Sequence, residues 1–205
     1  MIMGVPSINF RVTLLVLTLL IIFLSQNRTE AVPTFINSAC PNISTFNLNT
    51  PNNTYQSNRN NLLLYLSSNA TGNTEYYNAT ASTVSSVEDT VYGLFVCRGD
   101  MSADDCRDCV ADATKVIVNL CPVQKAAIAW YEQCMIRYSN RYIFSSMAPD
   151  PSAFFWSPLN MSEPDRFNQL VQTTMNDLAS QLLNVRSGAK KFKTKEATFT
   201  ALQTL

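Results

Sequence analysis

Apolar residues in this chain fall into blocks of different period, and each block predicts a different element. The first is residues 12–24 (VTLLVLTLLIIFL), 13 positions without a charge, preceded by one basic residue, Arg11, and no acid. A bilayer span takes about 20 residues, so this run is short for one. It has the make-up of the apolar centre of a secretory signal peptide, with small residues at Ser25 and Ala31 for cleavage. Residues 1–31 are therefore expected to be a signal peptide. No second apolar run of spanning length follows, which predicts no transmembrane span in the mature chain and export from the cell.

Residues 32–58 are rich in Asn, Pro, Thr and Ser and read as loop, with a short strand around Phe35 and Ile36. Residues 58–67 (NRNNLLLYLS) predict a helix whose apolar face is Leu62, Leu63 and Leu66. Residues 75–81 and 90–97 are β-branched and aromatic enough for strands. The strongest helix signal follows. Ser102 is placed to cap it and Asp105 stands three residues on, as in a capping box. Apolar positions then recur at Cys106, Cys109/Val110, Ala113, Val116/Ile117 and Leu120, the spacing of one buried face. Residues 126–138 (AAIAWYEQCMIRY) and 141–147 (RYIFSSM) predict an antiparallel strand pair turned at Ser139 and Asn140. In that reading Glu132 shares strand parity with Trp130 and Cys134, a conflict between charge and burial.

Five of the six cysteines lie in one cluster, Cys97-x8-Cys106-x2-Cys109-x11-Cys121-x12-Cys134, and Cys40 stands upstream. In an exported chain an even number of cysteines implies a disulfide framework. Cys106 and Cys109, at i and i+3 of the helix, share a face but do not suit bonding to each other, so each needs another partner. Cys97 is placed to close onto Cys106, Cys109 to reach Cys134, and Cys40 to tie to Cys121. Six cysteines allow 15 connectivities, and geometry alone does not choose among them. The rival readings of Cys106-x2-Cys109 are zinc and thioredoxin-like redox chemistry. No second Cys-x2-Cys completes a zinc knuckle, and no βαβ pattern surrounds the pair.

Composition narrows the function. The 15 basic and 15 acidic residues balance, so nothing favours nucleic acid. The chain has no histidine, which excludes Ser-His and Cys-His nucleophiles and the His-Arg-Asp loop of a protein kinase. No Gly-rich phosphate loop is present. Asp104/Asp105 are read as favourable charges at a helix N-terminus rather than a catalytic pair. The expectation is no enzyme, no cofactor and no metal site. Sequons begin at Asn27, Asn42, Asn52, Asn69, Asn78 and Asn160, and all but Asn27 lie beyond the signal peptide, which predicts a glycosylated surface.

The cysteine spacing, with AIAWYEQCMIRYSN across residues 127–140, resembles the plant ginkbilobin-homologous domain, also called the stress-antifungal or cysteine-rich-repeat domain. Its members are cysteine-rich receptor-like kinases, cysteine-rich repeat secretory proteins, plasmodesmata-located proteins and antifungal ginkbilobins. The resemblance covers residues 32–147. It implies an α+β fold, two helices packed on an antiparallel sheet of about five strands. It also implies three disulfides, Cys40–Cys121, Cys97–Cys106 and Cys109–Cys134, and an apoplastic location. Members that bind mannose use an Asn, an Arg and a Glu at positions that correspond here to Pro41, Ile128 and Ser139. None matches, and an isoleucine cannot replace the bidentate bonds of a guanidinium.

A second similarity is internal. Residues 162–184 (SEPDRFNQLVQTTMNDLASQLLN) predict a helix capped at Ser162, with Pro164 in its first turn and an apolar face of Phe167, Leu170/Val171, Met175, Leu178 and Leu182. Residues 190–205 are similar to 76–91. Residues 148–205 thus read as a linker and the truncated start of a second copy, a product of a longer receptor kinase or secretory protein. Half a domain cannot bury its helix face, so this part is expected to be mobile, docked on the first domain, or completed by another chain. The resemblance implies a secreted, non-catalytic interaction module of plant stress or defence signalling. Its partner would be an extracellular protein, including another cysteine-rich-repeat chain. The alternative is a lectin-like antifungal effector for a cell-wall glycan. The aromatics Trp130, Tyr142 and Trp156 could serve either role, with burial in a core as the simpler expectation.

Overall fold

The computed structural model describes residues 16–18, 32–50, 53–71, 74–83, 86–146, 150–156, 158, 160–186, 189 and 192–200. The chain divides into two units, Met1–Val32 and Pro33–Leu205. In the first unit residues 16–18 are helical and exposed. The remainder of the expected signal peptide, with Asn27, lies outside the described residues. Among the described residues no helix is long and apolar enough to cross a membrane.

The second unit is built in the order β1 (Phe35–Ala39), α1 (Thr54–Asn69), β2 (Tyr76–Thr83), β3 (Ser86–Cys97), α2 (Ala103–Leu120), β4 (Ala126–Tyr131), β5 (Cys134–Ser139) and α3 (Pro164–Leu183). The strands form one five-stranded sheet in the order β1-β4-β5-β3-β2, antiparallel at every pairing. Strand alternation sends Val91, Phe95 and Cys97, Ala127, Ala129 and Tyr131, and Cys134, Ile136 and Tyr138 to one face. There they meet Leu62, Leu63 and Leu66 of α1 and Val110, Ala113 and Ile117 of α2 in a single core. Each buried aliphatic side chain contributes about 1.5–3 kcal/mol of transfer free energy. Gly93 lets α1 sit low on the sheet, because a Cβ there would stand 2.7 Å from Leu62 Cδ2.

Helix α1 starts four residues earlier than the leucine pattern predicts. Asn53 is its N-cap, and its Oδ1 accepts from the Gln56 amide at 2.9 Å. Tyr55 in the extra turn is buried, as are Asn58 and Arg59 immediately after it. Polar residues on a buried face escape a hydrophobicity count, and here their partners are distant in sequence. Asn58 donates to the Asp89 carbonyl at 2.9 Å, and the Tyr55 hydroxyl donates to the Lys125 carbonyl at 2.5 Å. Helix α2 is capped as expected, the Asp105 amide donating to Ser102 Oγ at 3.1 Å. The predicted face holds through Ile117, but Leu120 is 46% exposed. The chain leaves the sheet there to enter the Cys121 disulfide.

The predicted hairpin needs correction. The strands are β4 and β5, and the turn is Glu132-Gln133, not Ser139-Asn140. No described residue of 141–146 is in a strand. The turn is fixed from both sides: the Glu132 amide donates to the Thr34 carbonyl at 3.0 Å and the Arg98 amide to the Gln133 carbonyl at 2.8 Å. Moving Glu132 into the turn exposes it and removes its conflict with Trp130 and Cys134.

Three disulfides staple the domain: Cys40–Cys121, Cys97–Cys106 and Cys109–Cys134, the pairs that the family resemblance implies. Cys97 and Cys134 stand opposite each other on β3 and β5, so two bridges tie α2 to adjacent points of the sheet. Helix α3 has Pro164 as its first residue, but its cap is Glu163, whose carboxylate pairs with Arg166 at 2.8 Å and makes no capping bond, where Ser162 is predicted. It buries none of its residues. Residues 192–200 lie along it: Phe199 packs edge-on against Phe167 at 5.4 Å, and Lys195 pairs with Asp177 at 2.5 Å. Gly99 meets Phe192, whose Cβ would lie 2.6 Å from a Cβ added at that glycine.

Candidate functional site

Helices α1 and α2 pack on one face of the sheet, and its other face carries the residues of opposite parity. These are Tyr92, Leu94 and Val96 on β3, Ile128 and Trp130 on β4, and Met135, Arg137 and Ser139 on β5. A solvated sheet face normally alternates to polar residues. This one is largely apolar, with Leu94 8% and Ile128 4% exposed. Part of the cover is local: Tyr142 and Phe144 pack edge-on against Tyr92 at 5.5 and 5.8 Å. Residues 151–153 and Phe155 line the other side of the face.

Pro41, Ile128 and Ser139 come together at one end of this face. Ile128 pairs with Ala39, two residues before Pro41, and with Arg137, two residues before Ser139. The site is chemically changed nonetheless. Ile128 is buried, and Ser139 is 6% exposed with its hydroxyl accepting the Arg141 amide at 3.0 Å. No charge remains at the three positions, and the one polar side chain, Ser139, is buried.

The other candidate residues scatter. Asn42 is exposed and its Oδ1 accepts from Gln124 at 3.0 Å. Asn69 ends α1, its amide donating to the Tyr65 carbonyl at 2.8 Å. Asn78 projects from the edge strand β2 and donates to the Tyr76 hydroxyl at 2.8 Å. Asn160 is exposed, and Asn52 lies outside the described residues. Asp104 pairs with Arg107 at 2.7 Å and Asp105 accepts the Ser102 hydroxyl at 2.6 Å, both at the start of α2. Trp130 is half-buried on the outer face, but Tyr142 and Trp156 are 66% and 83% exposed. Burial in a core therefore fails for those two, because both lie after the last strand.

Two arginines carry more weight than their sequence context suggests. Arg59 is 1% exposed and lies between Phe46 and Tyr138, 5.0 and 6.0 Å from their ring centres. Burial holds the Tyr138 phenol protonated beyond its usual range, and Arg59 opposes the effect. Burial also raises Tyr55 and Tyr131, the latter helped by its bond to Asp112 at 2.8 Å. Arg137 is half-buried on the outer face. Its parity becomes readable only once the hairpin turn is placed at Glu132-Gln133.

A five-stranded antiparallel sheet with two helices on one face and three disulfides defines a stapled α+β domain. Residues 39–141, half of the chain, match the Stress-antifung family, described as salt stress response/antifungal, and the chain belongs to that family. It is 34% identical to cysteine-rich receptor-like protein kinase 25 of Arabidopsis thaliana over 186 residues, which cover 90% of this chain and 27% of the kinase. It is 39% identical over 135 residues to cysteine-rich repeat secretory protein 1 of the same plant, covering 66% of this chain and 38% of that protein. The chain thus spans about a quarter of the length of the receptor kinases it matches. Among solved structures it is similar to the tandem DUF26 ectodomains of two Arabidopsis thaliana cysteine-rich receptor-like proteins. PDLP8 gives a TM-score of 0.60 at 24% identity, over 72% of this chain and 68% of that one. PDLP5 gives 0.55 at 25%, over 69% and 67%.

Proposed function

We propose that the protein is a secreted, non-catalytic interaction module of plant stress or defence signalling, working by contact with another extracellular chain. One observation carries this reading. Phe154, Phe155 and Trp156 stand 79%, 70% and 83% exposed in succession, directly after the outer face. Exposed contiguous aromatics mark interaction sites, and Trp is the commonest interface anchor. The relatives support an extracellular receptor-type role. Residues 1–31 would be cleaved as signal peptide, and Asn42, Asn52, Asn69, Asn78 and Asn160 would carry glycans. Residues 148–205 would be the linker and opening of a second copy. Matches covering 90% of the chain, well beyond residues 39–141, support that division.

The test is expression of the full chain in plant cells. The expected result is recovery from the apoplastic fluid, a mass drop on deglycosylation, and capture of a cell-surface protein by proximity labelling. That capture should be lost when Phe154, Phe155 and Trp156 become Ala. Retention inside the cell, or capture indifferent to the triple substitution, would overturn the reading.

A further inference from the structure

The outer sheet face, residues 151–153 and Phe155 line a cleft of about 470 Å³. Its walls are Ile36, Ile128, Trp130, Met135 and Phe155, and the one charged residue lining it is Arg137. Arg137 stands opposite Ile128, and Trp130 opposite Met135. Arg137 and Trp130 are therefore diagonal neighbours on one face, their backbones roughly 7–8 Å apart, within reach of both long side chains. The Arg137 guanidinium makes no hydrogen bond or ion pair with any described residue; only its backbone is engaged, in the strand ladder. It is nevertheless half-buried, so part of its hydration is lost without a partner.

The lining decides the ligand class. A neutral apolar ligand would leave the guanidinium unpaired, and an inorganic anion would leave the aromatic and aliphatic walls in water. A sugar needs several directional polar groups, and besides Arg137 the lining side chains offer little more than Ser152, the Tyr131 hydroxyl being turned to the helix side, where it donates to Asp112. An apolar cleft with one convergent cation suits a ligand with one charge on an apolar body. We infer that this cleft binds a small amphipathic carboxylic acid. Arg137 takes the carboxylate through two parallel N–H donors, and the aromatic or aliphatic body lies against Trp130, Met135 and Ile128. The inference and the protein-contact reading above share Phe155, but that reading does not use Arg137 and this one uses neither Phe154 nor Trp156, so Arg137→Gln and the acid–amide comparison test the cleft alone.

The chain has two tryptophans, so Trp156→Phe leaves Trp130 as the sole indole reporter. The oxidised full chain with that substitution is titrated with 4-phenylbutyrate and with its neutral amide, following tryptophan fluorescence, and calorimetry repeats the comparison on the unsubstituted chain. Saturable binding of the acid is expected, weakened at least about tenfold for the amide and by the same factor in Arg137→Gln. Arg137→Lys should fall between, keeping the charge but losing the fork. Equal affinity for acid and amide, no saturation in the millimolar range, or tighter binding of galacturonate than of phenylbutyrate each overturns the inference. If Arg137→Gln fails to fold, the acid–amide comparison on the unsubstituted chain decides alone.

Discussion

Arg59 on α1 donates to the carbonyl oxygen of Cys121, the C-cap of α2, at 3.3 Å, and to that of Pro122 at 3.0 Å. A buried cation is here compensated by the negative end of a helix rather than by a carboxylate. The same carbonyl of Cys121 accepts the Tyr138 hydroxyl at 3.3 Å. Three elements and the Cys40–Cys121 bridge thus meet at one polar knot inside an apolar core.

Arg59→Met is expected to lower stability by about 2–4 kcal/mol, because it strands carbonyl acceptors in the core. Urea unfolding of the oxidised chain measures it. A loss under about 0.5 kcal/mol would mean that water enters and satisfies those carbonyls.

The three bridges should not be equivalent. Cys40–Cys121 spans 81 positions, Cys109–Cys134 spans 25 and Cys97–Cys106 only 9. If the effect acts on the unfolded chain, removing the first pair should cost about 2 kcal/mol more than removing the last. Paired Cys→Ala variants compared by calorimetry give the ranking, and a reversed order would show that native contacts dominate.

Alkali should destabilise the domain through its buried phenols. Tyr55, Tyr131 and Tyr138 all have folded pKa values raised above the ordinary value near 10, burial being the first cause in each. Their contribution is therefore complete below pH 10. It declines above pH 10, where the unfolded phenols ionise while the folded ones remain protonated. Tyr55→Phe should remove up to about 1.4 kcal/mol per pH unit from the slope of stability above pH 10, and Tyr138→Phe should flatten the slope in the same direction. Denaturation midpoints from pH 8 to 11.5 test this, and an unchanged slope in both variants would contradict it.

Gly93→Ala places a methyl 2.7 Å from Leu62 Cδ2 and 3.1 Å from Leu66 Cδ1. The expected cost is about 1–3 kcal/mol of overpacking. Combined with Leu62→Ala the loss should be clearly less than the sum of the two, since the cavity accepts the methyl. Strict additivity in the double-mutant cycle would count against direct contact.

The sequence alone determined the cysteine framework, the cap and buried face of α2, the leucine face of α1 and the approximate place of most strands. A 3–4 spacing and a capping box are local signals contained in one segment, and a cysteine count needs no structure at all. Tertiary structure decided the rest. The hairpin turn could be placed at two points of 126–147, and an error there changes which face a side chain occupies. The choice was made by distant partners, Thr34 and Arg98 gripping Glu132 and Gln133, and Cys97 standing opposite Cys134. Only after that choice does Arg137 point outward beside Trp130. Arg59 shows the same limit, since its burial depends on acceptors 62 and 63 residues away, beyond the reach of any local period.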